Sequence, residues 1–569
     1  MLVRCTPLFI LLLLSFGVYF NCLSGDFVYD DRDLLENQWF RDMRNIPSAF
    51  STNIFAGSHD AQTTLNYYRP LSAIFGILNY SLFGLKPWGF HLVNMIFHCS
   101  VTVLVFLVVR RLLSGQETLP VPVYLSPPFM AAALFALHPI HTEAVAWISG
   151  RADIFFSFFY LLSFYLYVLY RDGAAGGYAL SVLSFAAAAF SKEPAITLPL
   201  VLMAYDALFK RRDETSWKAV GRYIPYVVVA GIYLSMRYYA LGGLAPTKTN
   251  AHLTTYEAII NVLPLFKDYL AGLLWPFQLN LFHPFRPIGS LFGAQGIISA
   301  IIAVLFLAGA VTAYRMDKMV LFSLLLVGIP LLPAFYIKGL TDQPFAERYL
   351  YLPSVGYVLF LAILLSRGSA KLLRSAAVLA AVFTVIAGAY AVGTVTRNNV
   401  WQNSFNLWSD TVRKAPDNAD AHNNLGIAYA SQGMWDDAVG EFRTTLRLRP
   451  NDVEAHNNLG LAYSSQNLWD SAVPEFQQAM RLNPQYAEAH NNLGIAYASK
   501  RLWEEAVVEF QTALRLNPDF AMAHRNLGLA YAAQGLRDRA AAEFRTALQL
   551  SPDDDVARRR LMEIETGPR

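Results

Sequence analysis

Hydrophobic positions in the first two thirds of the chain form long runs separated by short polar stretches. A helix needs about 20 apolar residues to cross a membrane, and several of these runs reach that length only with their flanks. We predict about eleven transmembrane helices, at 7–23, 88–109, 126–138, 153–170, 178–190, 195–209, 222–240, 296–313, 319–337, 349–366 and 372–393. Residues 1–396 are therefore expected to form a polytopic, all-α membrane domain.

Two further segments, 68–85 and 256–277, do not fit a simple crossing. The first is short and follows a polar loop. The second carries Glu257, Lys267 and Asp268 among its apolar residues. This pattern is typical of helices that lie in the membrane interface.

The first apolar run, 8–20, follows Arg4 and permits two interpretations. A cleaved signal peptide also starts with a basic residue and an apolar stretch, but it then needs a small-x-small cleavage site. Asn21, Cys22 and Leu23 make a poor one. We favour an uncleaved first transmembrane helix and keep the signal peptide as the alternative.

Basic residues fall in every second predicted loop, which is the pattern of loops that stay in the cytoplasm. They are Arg110, Arg111, Arg171, Lys210, Arg211, Arg212, Lys218, Arg315, Lys318, Arg367, Lys371 and Arg374. With an odd number of spans, the C-terminal part and the first outer loop share the opposite side. We therefore expect an integral, multi-pass membrane protein with both parts in the ER lumen, the periplasm or the exterior.

The pattern changes after the last apolar run into four aligned stretches of 34 residues. The aligned positions are Gly426, Gly460, Gly494 and Gly528, followed by Pro450, Pro484, Pro518 and Pro552. Leu-Gly, Tyr, Ala, Phe and Pro at these offsets form the tetratricopeptide pattern, which predicts an α-solenoid of helix pairs. We place a linker with a degenerate leading repeat at 397–418, four repeats at 419–552 and a cap helix in the tail at 553–569.

Composition supports this division. The chain is 55% hydrophobic and 15% charged, but from Asp417 onward it holds 15 basic and 21 acidic residues, against 30 basic and 21 acidic before it. The basic residues sit in short loops and form no patch, so no nucleic-acid partner is expected. Three cysteines beside apolar segments offer neither a disulfide framework nor a zinc spacing.

An asparagine recurs two residues before each repeat glycine, at Asn424, Asn458, Asn492 and Asn526. An amide donates and accepts at once, so a ladder of them on the concave face can bind the backbone of an extended peptide. The alternative is that these amides only bond neighbouring helices. The recurring His422, His456, His490 and His524 are interpreted as packing residues.

Ionisable residues also gather at the predicted outer ends of the membrane helices. Arginine and lysine there suit the phosphate of a lipid-linked substrate, and the candidates are Arg151, Lys192, Arg348 and Arg69. Supporting candidates are His138, His141, Glu143, Asp153, Glu193 and Glu347. Each alone could be a snorkelling or loop charge, but charges at membrane depth default to a functional role. Because Pro139 interrupts the helix between the two histidines, we expect no metal there.

A carboxylate at the same surface suits a general base that deprotonates an acceptor hydroxyl, and Asp30 and Asp31 follow the first apolar run. Together these features indicate glycosyl transfer from a polyprenyl-phosphate sugar. With one base and a phosphate leaving group, inversion at the sugar carbon is expected. The donor is a lipid-linked substrate, and no cofactor is expected.

Several motifs then resemble one family. These motifs are Asp-Asp in the first outer loop, YRPLS, HPIHTEAVAWISGRADI, SKEP, ERYLYLPS and the C-terminal tetratricopeptide repeats. With them, the chain resembles the transmembrane and tetratricopeptide-repeat (TMTC) proteins, within the GT-C class of membrane glycosyltransferases. The resemblance implies transfer of mannose from a polyprenyl phosphate to Ser or Thr of proteins, with Asp30 or Asp31 as the catalytic base. The array has only four clear repeats, so the resemblance implies the acceptor less directly than it implies the reaction.

Two other functions remain open at this point. One is a non-catalytic membrane scaffold that recruits proteins through its repeats. The other is a GT-C transferase that modifies a lipid or glycan and uses the repeats only for assembly.

Overall fold

The computed structural model describes residues 2–31, 37–53, 67–114, 122–209, 220–243, 253–337, 344–371 and 376–566. Throughout these ranges the regular structure is helical, which confirms the predicted all-α fold. The chain divides into two compact units, Met1–Leu407 and Trp408–Arg569.

Each of the eleven predicted spans coincides with a helix, and the two predicted interfacial segments are also helical. The α-helices up to the end of the apolar region are α1 Leu2–Val18, α2 Pro70–Phe83, α3 Pro87–Leu112, α4 Pro127–Leu137, α5 Thr142–Ala146, α6 Arg151–Arg171, α7 Gly177–Ser191, α8 Leu198–Phe209, α9 Ile224–Leu241, α10 Thr255–Ile260, α11 Val262–Leu274, α12 Ala294–Met316, α13 Lys318–Leu331, α14 Pro353–Lys371 and α15 Ala376–Val400.

Six helical stretches in the described ranges are long and apolar enough to cross a membrane. They are Pro87–Leu112, Ile148–Arg171, Ile224–Leu241, Ala294–Met316, Lys318–Phe335 and Ala376–Val400. Pro127–Leu137 and Pro139–Ala146 make a seventh if the pair, bent by 49°, is one span. The other predicted crossings fall on shorter apolar helices, and the count of eleven stays a prediction.

Short helices in this unit end where the sequence breaks the backbone pattern. Helix α7 stops at Ser191 because Lys192, Glu193 and Pro194 follow, and a proline disfavours helical geometry in the residue before it. Helix α5 is followed by a turn at Gly150, where an added Cβ would lie 2.6 Å from the carbonyl oxygen of Glu143. Only glycine fits there, and the turn starts α6 at Arg151.

The second unit is a row of helix pairs after the connecting helix α16 Ser404–Lys414. The pairs are α17 Ala419–Ser431 with α18 Trp435–Leu448, α19 Val453–Ser465 with α20 Trp469–Leu482, α21 Ala487–Ser499 with α22 Trp503–Leu516, and α23 Ala521–Ala533 with α24 Arg537–Leu550. The tail forms α25 Asp555–Thr566, whose Ala557 is buried in the core of the last repeat.

Contact between paired helices explains the repeat glycines. At Gly426, an added Cβ would lie 2.6 Å from the ring of Phe442, and the same relation joins Gly494 to Phe510. A real Cβ cannot approach that closely, so the glycine and the aromatic residue form one packing unit repeated along the array. The turn between paired helices has positive φ, which Gly433 adopts at 74° but Arg501 must adopt at 62°.

Candidate active site

Asp30 and Asp31 lie in a tight turn that follows the first helix. Tyr29 has a φ of 56°, a conformation that costs a non-glycine residue about 1–3 kcal/mol and that clusters at functional sites. The Val28 N–H donates to Asp31 Oδ2 at 3.2 Å, while the Asp31 N–H donates to the Val28 carbonyl at 3.1 Å. The turn thereby fixes the position of the Asp31 carboxylate.

Asp31 is fully buried. Its Oδ1 accepts from both the backbone N–H and the hydroxyl of Ser149, at 2.8 and 2.6 Å. Burial raises the pKa of Asp31 to about 6, although the hydrogen bonds from Ser149 and Val28 oppose the increase. Asp30 is only half-buried, so it is the more accessible carboxylate of the two.

Arg151 begins α6 two residues after Ser149 and is 2% exposed. The carboxylates that act on its charge are Asp31 and Asp30, but no carboxylate in the described ranges lies within ion-pair distance of it. Its Nη1 atom is buried without a hydrogen-bond partner among those residues. Space for the guanidinium comes from Gly76, where an added Cβ would lie 2.9 Å from Arg151 Nη2.

Lys192, in contrast, is paired. Its Nζ lies 2.5 Å from Asp153 Oδ1, and both side chains are nearly fully buried. Burial lowers the pKa of Lys192 to about 8, with Asp153 opposing the decrease and the charges of Arg69 and Arg348 adding to it. Four of the predicted site residues are therefore electrostatically connected here.

Glu193 forms ion pairs with two arginines. Its Oε2 lies 3.3 Å from Arg69 Nη2, and its Oε1 lies 2.7 Å from Arg237 Nη1. Burial would raise the pKa of Glu193, but Arg69 and Arg237 outweigh it and lower the pKa to about 2. The carboxylate therefore stays charged and fixes both guanidinium groups.

Arg348 forms an ion pair with Glu143, which also accepts a hydrogen bond from the Arg348 backbone N–H at 2.8 Å. Burial lowers the pKa of Arg348, but the Glu143 carboxylate outweighs this and holds the pKa well above its ordinary value. The preceding residue, Glu347, has a different set of partners. It accepts from the Asn280 N–H at 2.5 Å, and it lies 3.1 Å from His283 Nε2 and 3.8 Å from Arg397 Nη2.

Aromatic rings connect these groups. Trp147 lies with its ring centroid 5.7 Å from that of Tyr29, and the Arg348 guanidinium carbon lies 5.3 Å from the Trp147 ring. The acidic turn and the paired cations therefore border the same indole. Tyr349 lies between Lys192 Nζ at 4.9 Å and Arg348 Cζ at 5.3 Å from its ring centroid.

His138 and His141 lie in an aromatic core instead of among the cations. His138 Nε2 is 3.3 Å from the Leu273 carbonyl, and His141 Nε2 is 2.8 Å from Ser354 Oγ. The described residues contain no group of three or more His, Cys, Asp or Glu side chains that could hold a metal ion. The expected absence of a metal stays a prediction.

The asparagines of the repeats link neighbouring units. The Nδ2 groups of Asn458, Asn492 and Asn526 donate to the preceding repeats' Asn423, Asn457 and Asn491, at 3.1, 2.9 and 3.0 Å. Asn424 donates to its own helix at the Asp420 carbonyl. These are bonds of the kind that the alternative interpretation expects. All four ladder residues are half-buried, and peptide binding stays a prediction.

The repeat histidines join the two helices of each pair. Each places Nδ1 2.5–2.7 Å from a glutamate on the second helix, as His456 does with Glu475. The contact is a polar one between paired helices, and the packing role expected for these histidines stays a prediction.

Sequence reasoning missed three kinds of residue in the site. Arg237 is one arginine in an apolar helix, Ser149 and Tyr349 are uncharged, and the partners of Glu347 come from distant segments. The only available signal was position. Ser149 and Tyr349 each lie within two residues of a candidate cation, inside motifs that had already been singled out.

Comparison with family models confirms the repeats. A TPR repeat model matches 428–467, 465–500 and 503–535, and a tetratricopeptide repeat model matches 521–554. Among solved structures, the crystal structure of MamA is 28% identical and covers 26% of this chain and 86% of its own, with a TM-score of 0.25. The assignment rests on the family models and on the helix pairs themselves.

Curated relatives match most of the chain. Protein O-mannosyl-transferase F38B6.6 of Caenorhabditis elegans is 28% identical over 75% of this chain and 60% of its own length. Protein O-mannosyl-transferase TMTC1 of Homo sapiens is 28% identical over 73% of this chain and 52% of its own length. Protein O-mannosyl-transferase TMTC3 of Homo sapiens is 26% identical over 73% of this chain and 48% of its own length. The chain thus spans between about half and three fifths of these relatives. It is an integral membrane protein with tetratricopeptide repeats that is similar to the TMTC protein O-mannosyl-transferases, which confirms the predicted resemblance.

Proposed function

We propose that this chain transfers mannose from a polyprenyl-phosphate donor to a hydroxyl of an acceptor, and that the acceptor is a Ser or Thr of a protein. The relatives' names supply the reaction class. The observation that carries the proposal for this chain is Arg151, a buried arginine without an ion-pair partner in the described ranges, beside two carboxylates. Every other candidate cation is paired with an acid.

A buried guanidinium nitrogen without a hydrogen-bond partner is costly, and a phosphate oxygen is the partner that the planar donors of arginine fit best. Arg151 also lies at the first residue of α6, where backbone N–H groups and the helix dipole favour an anion. The donor phosphate is therefore assigned to Arg151, with Lys192, Arg348 and Arg69 beside it.

Asp30 is proposed as the general base. Asp31 already accepts two hydrogen bonds from Ser149 and one from Val28, so its oxygens are committed to holding the turn. In the reaction, the acceptor oxygen attacks the anomeric carbon as the bond from that carbon to the phosphate oxygen breaks. Polyprenyl phosphate leaves with the electron pair, Asp30 takes the hydroxyl proton, and the configuration inverts.

The test is transfer of radiolabelled mannose from polyprenyl-phosphate mannose by the purified full chain. Arg151→Gln is expected to weaken donor binding by about tenfold to a hundredfold, as for loss of a hydrogen bond to a charged group. Arg44→Gln is the matched control, because the Arg44 side chain is 90% exposed and its ion-pair partner among the described residues is Asp42. Donor affinity equal to that of the parent in Arg151→Gln would remove the phosphate assignment. No transfer to any protein, lipid or glycan acceptor would favour a scaffold.

The active site is proposed to face the non-cytoplasmic side together with the repeats, on the basis of the alternating basic loops. Single cysteines placed at Asp26 and Met434 should react with an impermeant reagent from the same side, and a cysteine at Arg212 from the opposite side. Labelling of position 434 from the cytoplasm would separate the repeats from the site.

The repeats are proposed to bind the acceptor polypeptide along the asparagine ladder. Asn492→Ala is expected to raise the KM for a long protein acceptor by about threefold to tenfold, the value of one net hydrogen bond. It should leave the KM for a short acceptor peptide unchanged. A matched change at Gln466, outside the ladder, serves as the control. An unchanged KM for long acceptors in Asn492→Ala would leave the ladder with only its inter-repeat bonds.

A further inference from the structure

Tyr349 occupies the centre of the paired cations but forms no ion pair and was not among the predicted site residues. Its ring lies between Lys192 and Arg348. Both cations already have a carboxylate partner, Asp153 and Glu143 respectively. The ring is therefore not needed to neutralise them, although a cation over an aromatic face gains about 0.5–2 kcal/mol and a fixed position.

The phenolic oxygen itself lies within the electrostatic reach of several site groups. Arg348, Tyr67, Arg69 and Asp153 all act on it. No described residue donates a hydrogen bond to the hydroxyl or accepts one from it. The side chain is half-buried, so a ligand in the site can reach this hydroxyl.

A tyrosine hydroxyl ordinarily keeps its proton at physiological pH, because its reference pKa is about 10. It is thus a neutral O–H donor set among cations. A neutral donor can bind a phosphate oxygen without adding a further positive charge to the site.

We infer that the Tyr349 hydroxyl donates a hydrogen bond to the phosphate of the lipid-linked donor, while its ring fixes Lys192 and Arg348 on either side. This inference rests on the proposed function and extends its phosphate site by one residue. The ligand chemistry that it requires is a phosphate monoester or diester on a polyprenyl chain.

The experiment measures equilibrium binding of polyprenyl phosphate, the product of the reaction, to the purified full chain in detergent. Polyprenol, which has the same chain without the phosphate, is the matched ligand. Tyr349→Phe keeps the ring and removes the hydroxyl. Tyr314→Phe is the control variant, because Tyr314 is 67% exposed at the end of α12.

Tyr349→Phe is expected to weaken polyprenyl phosphate binding by about tenfold to a hundredfold, as for a hydrogen bond to a charged group. Polyprenol binding should not change, and Tyr314→Phe should bind both ligands as the parent does. Tyr349→Leu also removes the ring and should bind polyprenyl phosphate at least as weakly as Tyr349→Phe.

Parent affinity for polyprenyl phosphate in Tyr349→Phe would overturn the hydroxyl assignment, even if Tyr349→Leu binds weakly. An equal loss for phosphate and polyprenol would overturn it too, because the hydroxyl would then act on the fold. If Tyr349→Phe cannot be purified folded, parent affinity in Tyr349→Leu overturns the inference and phosphate-selective loss supports it. A parent chain that binds polyprenol and polyprenyl phosphate equally would instead contradict the proposed function.

Discussion

The two ends of helix α6 carry very different charge clusters. The helix has 21 residues from Arg151 to Arg171, so its ends lie about 30 Å apart. At the Arg171 end, Asp206 is within 3.0 Å of Arg171 Nε and accepts hydrogen bonds from the hydroxyls of Tyr167 and Tyr223, at 2.5 and 2.9 Å. At the other end, no carboxylate in the described part of the chain lies within ion-pair distance of Arg151.

The contrast is between a charge cluster that ties helices together and the proposed site of the donor phosphate. Asp206 ties α6 to α8 and to the start of α9, and Arg111 joins Asp172 nearby at 2.6 Å. Asp206 also lies 3.6 Å from Arg222, so the described cations of this cluster, Arg171, Arg222 and Arg111, each lie within ion-pair distance of a protein carboxylate. At the Arg151 end, Lys192, Arg348 and Arg69 are paired, whereas Arg151 has no carboxylate within ion-pair distance in the described ranges and is the proposed contact of the donor phosphate.

The largest effect is expected at the acidic turn. Asp30→Asn keeps the size of the side chain and removes its charge, so the transfer rate should fall by about 10²–10⁴-fold, the usual cost of losing a general base. Thermal unfolding should be unchanged. Asp26→Asn is the matched control, because Asp26 is exposed in the same loop and keeps its backbone hydrogen bond to Gln402. A parent rate in Asp30→Asn would contradict the base assignment.

A matched change in the Asp206 cluster should lower the stability of the fold instead of the transfer rate. Asp206→Asn leaves Arg171 beside a neutral group, and breaking a largely buried ion pair costs about 3–5 kcal/mol. The free energy of unfolding should fall accordingly, measured by denaturant or thermal melting in detergent. Transfer per folded molecule should stay at the parent rate. A tenfold loss of rate in the folded fraction would mean that the two ends are not functionally separate.

The position of the Arg151 guanidinium can be tested without changing the arginine. In Gly76→Ala, the new methyl group would approach Arg151 Nη2 to 2.9 Å and the Phe40 ring to 3.1 Å. The guanidinium should move, and donor affinity should fall by about tenfold, on the scale of one charged hydrogen bond. Gly309→Ala is the control, because no atom lies within 4 Å of its added Cβ. Equal donor affinity in the two variants would show that the position of Arg151 does not matter.

Much of this comparison could be predicted from the sequence. Apolar runs predict helices because a segment that crosses a membrane must be apolar and must satisfy its own backbone hydrogen bonds. Charged residues beside such runs are rare, and they therefore indicate the candidate site. Arg151 and Arg171 flank the same apolar run, and the sequence assigns them correctly to opposite ends. The sequence could not show that Arg171 has a partner, because Asp206 is 35 residues away from it. The same holds for Glu193, which is 44 and 124 residues from Arg237 and Arg69.

The smallest effect concerns the pH dependence of stability at Asp31. The folded chain holds a proton on Asp31 up to about pH 6, whereas the ordinary pKa is 3.8. A group with a raised acid pKa binds more protons when folded, so its contribution to stability falls as pH rises through this window. Between pH 5 and pH 7 the parent should lose about 1 kcal/mol relative to Asp31→Asn, which does not titrate. Subtracting the two unfolding curves cancels the other titrating groups, and Asp26→Asn should follow the parent. If the difference between parent and Asp31→Asn were flat or rose with pH, burial would not control the protonation of this carboxyl.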